Sequence, residues 1–461
     1  MDHTEKFNVL GQQPVGRLLL QYAVPAIVAM TASSLYNIID GMFIGQGVGQ
    51  EAIVGLAVCA PIMLILAAFG AMVGVGASTL MSVRLGQKDY QTARHILGNV
   101  VIMNVIMGLS LGMLFQLVLK PLLRFFGASD AIMPYAYDFM TIILCGNVVT
   151  HLYLGLNALL RSTNRPMTAM YATIGTVVLN CLFAPLFIFV LGWGIRGAAL
   201  ATVLAQTSML VWQLRFFSRP DEFVRFSRDI LHLDRRIVRE SLLIGLPPFL
   251  INFCACAVAI IYTRSMAGFG GDVAVGAYGI CNRLVLFVVM VVIGLNQGMQ
   301  PIAGYNYGAR KFDRVLRVLR LAVIAATCIT TLGFVVYTVF ARECVMLFVS
   351  DSEPLIAESV RGLRILVTFF PLIGMQIVST SFFQSIGMAG KSILLSLTRQ
   401  LIFLIPALLL LPHVVADPVA GVWWSAPLSD GLACIVSAVL LTIEVRKFRR
   451  RSAEVQVAHS M

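Results

Sequence analysis

The chain has 461 residues, 59% of them hydrophobic and 12% charged, with a formal net charge of +12. Soluble domains carry about 25% charged residues, so this composition excludes a soluble globular protein. The apolar residues run in continuous blocks of about 20 to 30, long enough to cross a ~30 Å hydrocarbon core as helices, and they lack the alternation of a membrane β-barrel.

The opening stretch, MDHTEKFNVLGQQPVGR, has no apolar core followed by a cleavage site, so the first block is expected to be retained as a helix. Six spans are predicted at 17–46, 53–83, 94–119, 133–160, 167–191 and 195–217. Seven arginines then crowd RFFSRPDEFVRFSRDILHLDRRIVRE. Six further spans are predicted at 237–266, 274–303, 314–340, 356–385, 391–413 and 419–445. RKFDRVLRVLR follows the eighth span and RKFRRR the last, whereas GQGVGQEA, GWGIRG, GFGGDVAVG and HVVADPVAG are nearly free of Lys and Arg. Basic loops stay in the cytoplasm, which places both termini there. The net positive charge is therefore read as a topology signal rather than a nucleic-acid surface. Nine cysteines are scattered without metal-ligand spacing, so neither a disulfide framework nor a metal site is expected. No GxxxxGK[ST] phosphate loop is present.

The two halves repeat. Pro25 in YAVPAIVAM matches Pro247 in IGLPPFLIN at an offset of 222, and Gly55 matches Gly276 at 221. Gly86 in RLGQKDYQTAR matches Gly308 in NYGARKFDRVLR at 222, and Ser162 in ALLRSTN matches Ser385 in FFQSIGM at 223. A near-constant offset over six spans makes a parallel repeat, an arrangement recurrent in transporters. The expected architecture is all-α and polytopic: an N-terminal six-helix lobe at 1–217, a basic linker at 218–236, a C-terminal lobe at 237–446 and a cytoplasmic tail at 447–461.

These features carry a resemblance. LLLQYAVPAIVAMTASSLYNIIDGMFIGQGVGQEAIVGLAV is similar to the first hairpin of the multidrug and toxic compound extrusion (MATE) family, in its MepA-like bacterial branch. RLGQKD, LNALLRSTNRPM and GWGIRGAALATVLAQ extend the likeness over nearly the whole chain. The resemblance implies two six-helix lobes forming a V around a cleft. It also implies export of cationic, amphipathic compounds against a proton or sodium gradient.

Asp40 is the single charged residue between Leu18 and Gln50. An acid facing lipid there would be penalised by several kcal/mol, so it should face the lobe interior or the cleft. Ser33, Tyr36, Asn37 and Asp40 share one helical face at spacings of three and four. The acid reads as an ion-coupling carboxylate that loads a proton, or Na⁺ if enough neutral oxygens surround it. The alternative is a structural acid bonded to its neighbours. The repeat-equivalent position, near Tyr262, has no acid, so lobe geometry alone does not demand one.

The resemblance adds Asn180 in VVLNCLFAPLF and Thr202 in AALATVLAQ as partners of Asp40; Thr176 and Gln206 lie one turn away and extend the polar faces. Interhelical hydrogen bonding is the rival role for all four. Many relatives read LDP where this chain reads FAP, so Ala184 stands in place of a second acid. That loss weakens a sodium cage more than a proton carrier. The acids some relatives carry in their seventh and tenth helices are also missing, which confines the coupling groups to the first lobe.

Asp430 in WWSAPLSDGLACIVS lies mid-span, within reach of Arg399 on the preceding span; the two read as a buried structural ion pair, with a substrate or proton role for Asp430 as the alternative. His151 is either a proton relay or a satisfied packing residue. Pro25 and the matching Pro247 and Pro248 would kink their helices, as static bends or as hinges.

The reading is a secondary antiporter of the inner or cell membrane, expected as a monomer among membrane lipids. It would export organic cations or amphipaths in exchange for protons, with sodium as the second choice of ion and no further cofactor. A flippase for lipid-linked or polyanionic substrates would need deep Arg and Lys, and a membrane-embedded enzyme would need a catalytic cluster. The spans are poor in the first, and no cluster of the second kind is evident.

Overall fold

The computed structural model describes residues 5–349 and 352–460; the first four residues and the last residue of the expected tail lie outside them. Among the described residues every regular element is a helix. A short helix, Glu5–Gln12, precedes α1 (Val15–Gly47), α2 (Gln50–Gly86) and α3 (Tyr90–Leu117). The side chain of Asp89 caps α3 by accepting from Thr92 N at 3.2 Å. The fourth span, α4, comes in two pieces, Met133–Cys145 and Asn147–Ser162, bent by 56° at Gly146. α5 (Pro166–Pro185) ends in a π-helical turn, Leu186–Val190, and α6 is Gly194–Phe217.

The second half mirrors this order. A single run, Arg235–Gly308, contains α7 and α8, which meet at Gly271. There φ is 64° and ψ is −159°, a backbone state that glycine alone enters without strain. α9 is Phe312–Val339. α10 is again two pieces, Glu353–Leu366 and Phe370–Ser385, bent by 57°. α11 runs as Ala389–Leu397, a π-helical stretch Thr398–Leu404, then Ile405–Val414; α12 is Pro418–Ser460. Among the described residues nine helices are long and apolar enough to span, up to eleven with each bent pair as one, and the break at Gly271 brings the number to twelve.

Three features add to the expected pattern of spans. The fourth and tenth spans are bent at Gly146 and at Val367–Phe369. α1 is assigned as one helix with Pro25 inside it. Beyond 446 α12 continues as helix to Ser460. It is held by Phe448, fully buried and stacked on Phe312 at 5.7 Å, and by Ser452, which donates to Asp313 at 2.6 Å. Glu444, nearly buried, pairs with Lys391 and with Lys447.

The chain divides into two compact units. Unit 1 contains residues 28–252 with the N-terminal helix, and unit 2 contains residues 13–27 and 253–461. The boundaries fall inside α1 and α7, two residues after Pro25 and four after Pro248, rather than in the arginine-rich segment. That segment packs on unit 1. Ile230 is fully buried, Asp234 N donates to Asn99 Oδ1 at 2.8 Å, and Arg165 pairs with Glu222 at 2.6 Å.

The reason for the early boundary lies in two close crossings. In unit 1 the first turns of α7 lie directly on α2. A β-carbon at Gly76 would overlap the Ser241 carbonyl, and one at Gly245 would overlap that of Met72. In unit 2 the first half of α1 lies on α8, where Gly294 and Gly298 meet the backbone of Ile27 and Ala23. Small residues at spacings of four allow helix backbones this close in a membrane, where dispersion rather than hydrophobic burial drives association. The core of unit 1 gathers Ile44, Cys59, Ile62, Met140, Ala184 and Ala198; that of unit 2 gathers Tyr262, Cys281, Tyr337, Phe370 and Trp423.

Candidate functional site

In unit 1, α1, α5 and α6 bring four polar side chains together. Asn180, 1% exposed on α5, donates from Nδ2 to Thr202 Oγ on α6 at 3.0 Å. Thr202 passes its own hydrogen to the Ala198 carbonyl one turn back at 3.3 Å. From α1, the Tyr36 hydroxyl is directed at both Asp40 and Thr202, near enough to interact with each but without the alignment of a finished hydrogen bond. Asp40 lies one helical turn beyond Tyr36 on the same face.

What distinguishes the cluster is its unsatisfied acceptors. Asp40 Oδ1, Asn180 Oδ1 and the Tyr36 hydroxyl are all buried atoms without a hydrogen-bond partner. Buried polar groups are ordinarily paired, and an unpaired one costs about 1–3 kcal/mol. Here unpaired acceptor oxygens on two helices, Asp40 Oδ1 on α1 and Asn180 Oδ1 on α5, flank the Tyr36–Thr202 approach, and the Asp40 carboxylate has no salt-bridge partner among the described residues. A proton, or a small cation, is the chemical species that would relieve both.

Polar residues of these types occur on many apolar helices, and similarity to known proteins narrows the reading. The MatE family model matches residues 25–186 and 247–409, the two repeats, and so more than half of the chain. The chain belongs to the MatE family.

Among curated relatives, the multidrug export protein MepA of Staphylococcus haemolyticus is 23% identical over 442 residues, covering 96% of each chain. Among solved structures, the MATE multidrug transporter DinF-BH is 34% identical, with a TM-score of 0.87 over 94% of this chain and 96% of that one. The outward-facing conformation of a MATE family multidrug resistance transporter superposes with a TM-score of 0.90 over 98% and 99% of the two chains, at 22% identity. The all-α, twelve-helix MATE fold and a multi-pass membrane location follow.

Within this MatE chain the expected site residues separate into two groups. Asp40, Tyr36, Asn180 and Thr202 meet, as described. Thr176 and Gln206 turn instead toward α4: Thr176 Oγ donates to the Ala172 carbonyl at 3.0 Å and faces Tyr153, and Gln206 Oε1 accepts from Thr150 at 2.5 Å. Asn37 is exposed and stands apart from the cluster. Cys181, adjacent to Asn180, lies within electrostatic reach of Asp40; the sequence reading missed it, although a residue next to Asn180 on the same helix was a natural place to look. Ala184 is fully buried in the apolar core, so α5 contributes no second acid.

His151 does not match the satisfied packing residue that is one of its two expected readings. It is 1% exposed, packed against Gly70 of α2, and neither ring nitrogen has a hydrogen-bond partner. In unit 2, Arg399 Nε donates to Asp430 Oδ1 at 2.6 Å, the buried pair expected from the depths of the two residues. No group of three or more His, Cys, Asp or Glu suited to a metal occurs among the described residues.

Proposed function

We propose that this MatE protein is a secondary antiporter of the bacterial inner membrane that exports cationic or amphipathic organic compounds in exchange for protons. The observation that carries this reading is the buried, unpaired Oδ1 of Asp40, facing neutral partners and no base. A carboxylate in such surroundings takes up a cation readily and releases it when its surroundings change. An ion drives a conformational change only through unequal affinity for the two states, and a charge-neutralising site of this kind provides that inequality.

Proton rather than sodium is favoured by the donor count. Sodium needs several converging oxygens. Thr202 Oγ is already engaged twice, accepting from Asn180 and donating to Ala198, and Ala184 supplies none. The names of the relatives, multidrug export protein and multidrug transporter, support the substrate class. The protein is read as a monomer in lipid with both termini cytoplasmic, moving substrate without a cofactor while its two six-helix repeats expose the path first to one side and then to the other. The basic segment at 218–236 would connect the repeats on the cytoplasmic side.

The test is ethidium efflux from cells and everted vesicles, wild type against Asp40→Asn, under separately imposed proton and sodium gradients. Efflux driven by the proton gradient and lost in a normally inserted Asp40→Asn is the expected result. A variant that pumps as well as wild type would overturn the coupling role, and drive by sodium alone would overturn the choice of ion.

A further inference from the structure

Unit 2 has an acid of its own, and the chain treats it differently. Asp430 on α12 is bound by Arg399 Nε of α11 at 2.6 Å; its side chain is 8% exposed and that of Arg399 32%. Ser429 Oγ fixes the Arg399 backbone by donating to its carbonyl at 2.7 Å, within the π-helical stretch Thr398–Leu404. Tyr262 of α7 and Cys434 of α12 lie within electrostatic reach of Asp430. Tyr262 gives its hydroxyl hydrogen to the Val422 carbonyl at 3.0 Å, so the guanidinium is the group that neutralises the carboxylate.

The parallel with unit 1 runs helix by helix. Tyr262 stands 222 positions after Asp40, at the equivalent place on the first helix of its repeat. α5 and α6 bring the bonded pair Asn180 and Thr202 to Tyr36, one turn from Asp40; their counterparts α11 and α12 form the pair Arg399 and Asp430, with Asp430 within electrostatic reach of Tyr262. Both α5 and α11 carry a π-helical turn, a local distortion common where a helix serves a site. Each unit therefore gathers its first, fifth and sixth helices around one carboxylate beside a tyrosine. In unit 1 the partners are neutral. In unit 2 one of them is a guanidinium, which keeps its charge at any physiological pH.

We infer that Arg399 is a built-in counter-ion, filling in unit 2 the role that the coupling ion fills in unit 1, and that it thereby holds the exchange at one ion per cycle. The inference rests on the reading of Asp40 as the ion carrier. A membrane-buried carboxylate without a partner must draw a proton or metal cation from solution to be neutral. A tethered guanidinium removes that need in every state, because it cannot dissociate to either side. An ion pair that served packing alone could instead be exchanged for a neutral pair or broken with no change in the number of ions carried.

The measurement is the ethidium gradient sustained at equilibrium by proteoliposomes, with the membrane potential clamped at zero, per unit of imposed pH difference. One proton per dye sustains about a tenfold gradient per pH unit and two sustain about a hundredfold. Wild type should give tenfold and Asp40→Asn none; a tenfold gradient in Asp40→Asn would defeat the Asp40 reading without touching the Arg399 arms. Arg399→Gln, which frees Asp430, should give hundredfold, and Asp40→Asn with Arg399→Gln should return to tenfold through Asp430. Arg399→Gln remaining at tenfold, or the double variant sustaining nothing, would overturn the inference. Should Arg399→Gln fail to reach the membrane, Asp430→Asn decides: it retains Arg399 and should stay at tenfold, whereas loss of the gradient would make Asp430 itself a carrier and overturn the proposal.

Discussion

At the scale of single residues, the Tyr36 hydroxyl is the group whose removal is most informative. It stands between Asp40 and Thr202 and completes a bond to neither. A tyrosine that donates to the charged carboxylate in one state and turns to Thr202 in another would favour release of the ion. Tyr36→Phe deletes that choice while keeping the ring. One hydrogen bond is worth about 0.5–1.5 kcal/mol, so the ion affinity read from the pH dependence of ethidium efflux should change by about 2- to 10-fold, with insertion unaffected. An unaltered pH profile would leave Tyr36 as packing. Much of this cluster was legible in the sequence, because a lone acid in an apolar block has few reasons to be there and Tyr36 lies one turn from it. The limits are equally physical. Helical spacing places Asn37 about 100° round from Tyr36, and nothing in one strand of letters says on which flank the neighbouring helix will sit. Thr176 and Gln206 are polar and at the right depth, but their partners are on α4, chosen by packing that a linear pattern does not encode.

At the scale of elements, the close crossing of α2 and α7 depends on the absence of side chains at Gly76 and Gly245. Gly76→Leu would push a branched side chain into the Ser241 carbonyl, which a packed helix pair can avoid only by separating. Overpacking of this kind costs about 1–3 kcal/mol, so the variant should show a lowered midpoint of thermal unfolding in detergent. A midpoint equal to that of wild type would mean that the crossing adapts. Helix positions were well anticipated, since continuous apolar blocks bounded by charge leave little freedom. The bends in α4 and α10 were not, because the two pieces of each are together long and apolar enough to read as one continuous span. The extension of α12 was missed for the opposite reason. RKFRRR looks like a solvated tail, and a single residue in it, Phe448, docks among Phe312, Tyr307 and Phe382 and keeps the helix in place.

At the scale of the whole molecule, the offset of about 222 residues revealed a duplicated chain, and the MatE model matches the same two segments. The division into compact units does not follow the duplication. Residues 13–27 belong to the unit built mostly from the second repeat, and residues up to 252 belong to the unit built mostly from the first. Hydropathy does not mark positions 27 and 252, although Pro25 and Pro247–Pro248 lie just before them; the crossings at Gly76 and Gly298 mark them in space. This exchange has a consequence for biosynthesis. Translation proceeds at about 5–20 residues per second, so the face of α2 around Met72 and Gly76 is synthesised about 8–35 seconds before the turns of α7 that cover it. The first six helices are thus a nascent intermediate with one face still bare. A fragment ending at residue 234 should be cleaved by protease under conditions that spare the full chain, and co-expression of the remainder should restore protection. Resistance of the fragment alone would count against this. For a polytopic chain, the order of synthesis is then part of how the fold is reached: the first repeat can finish only when the second has begun.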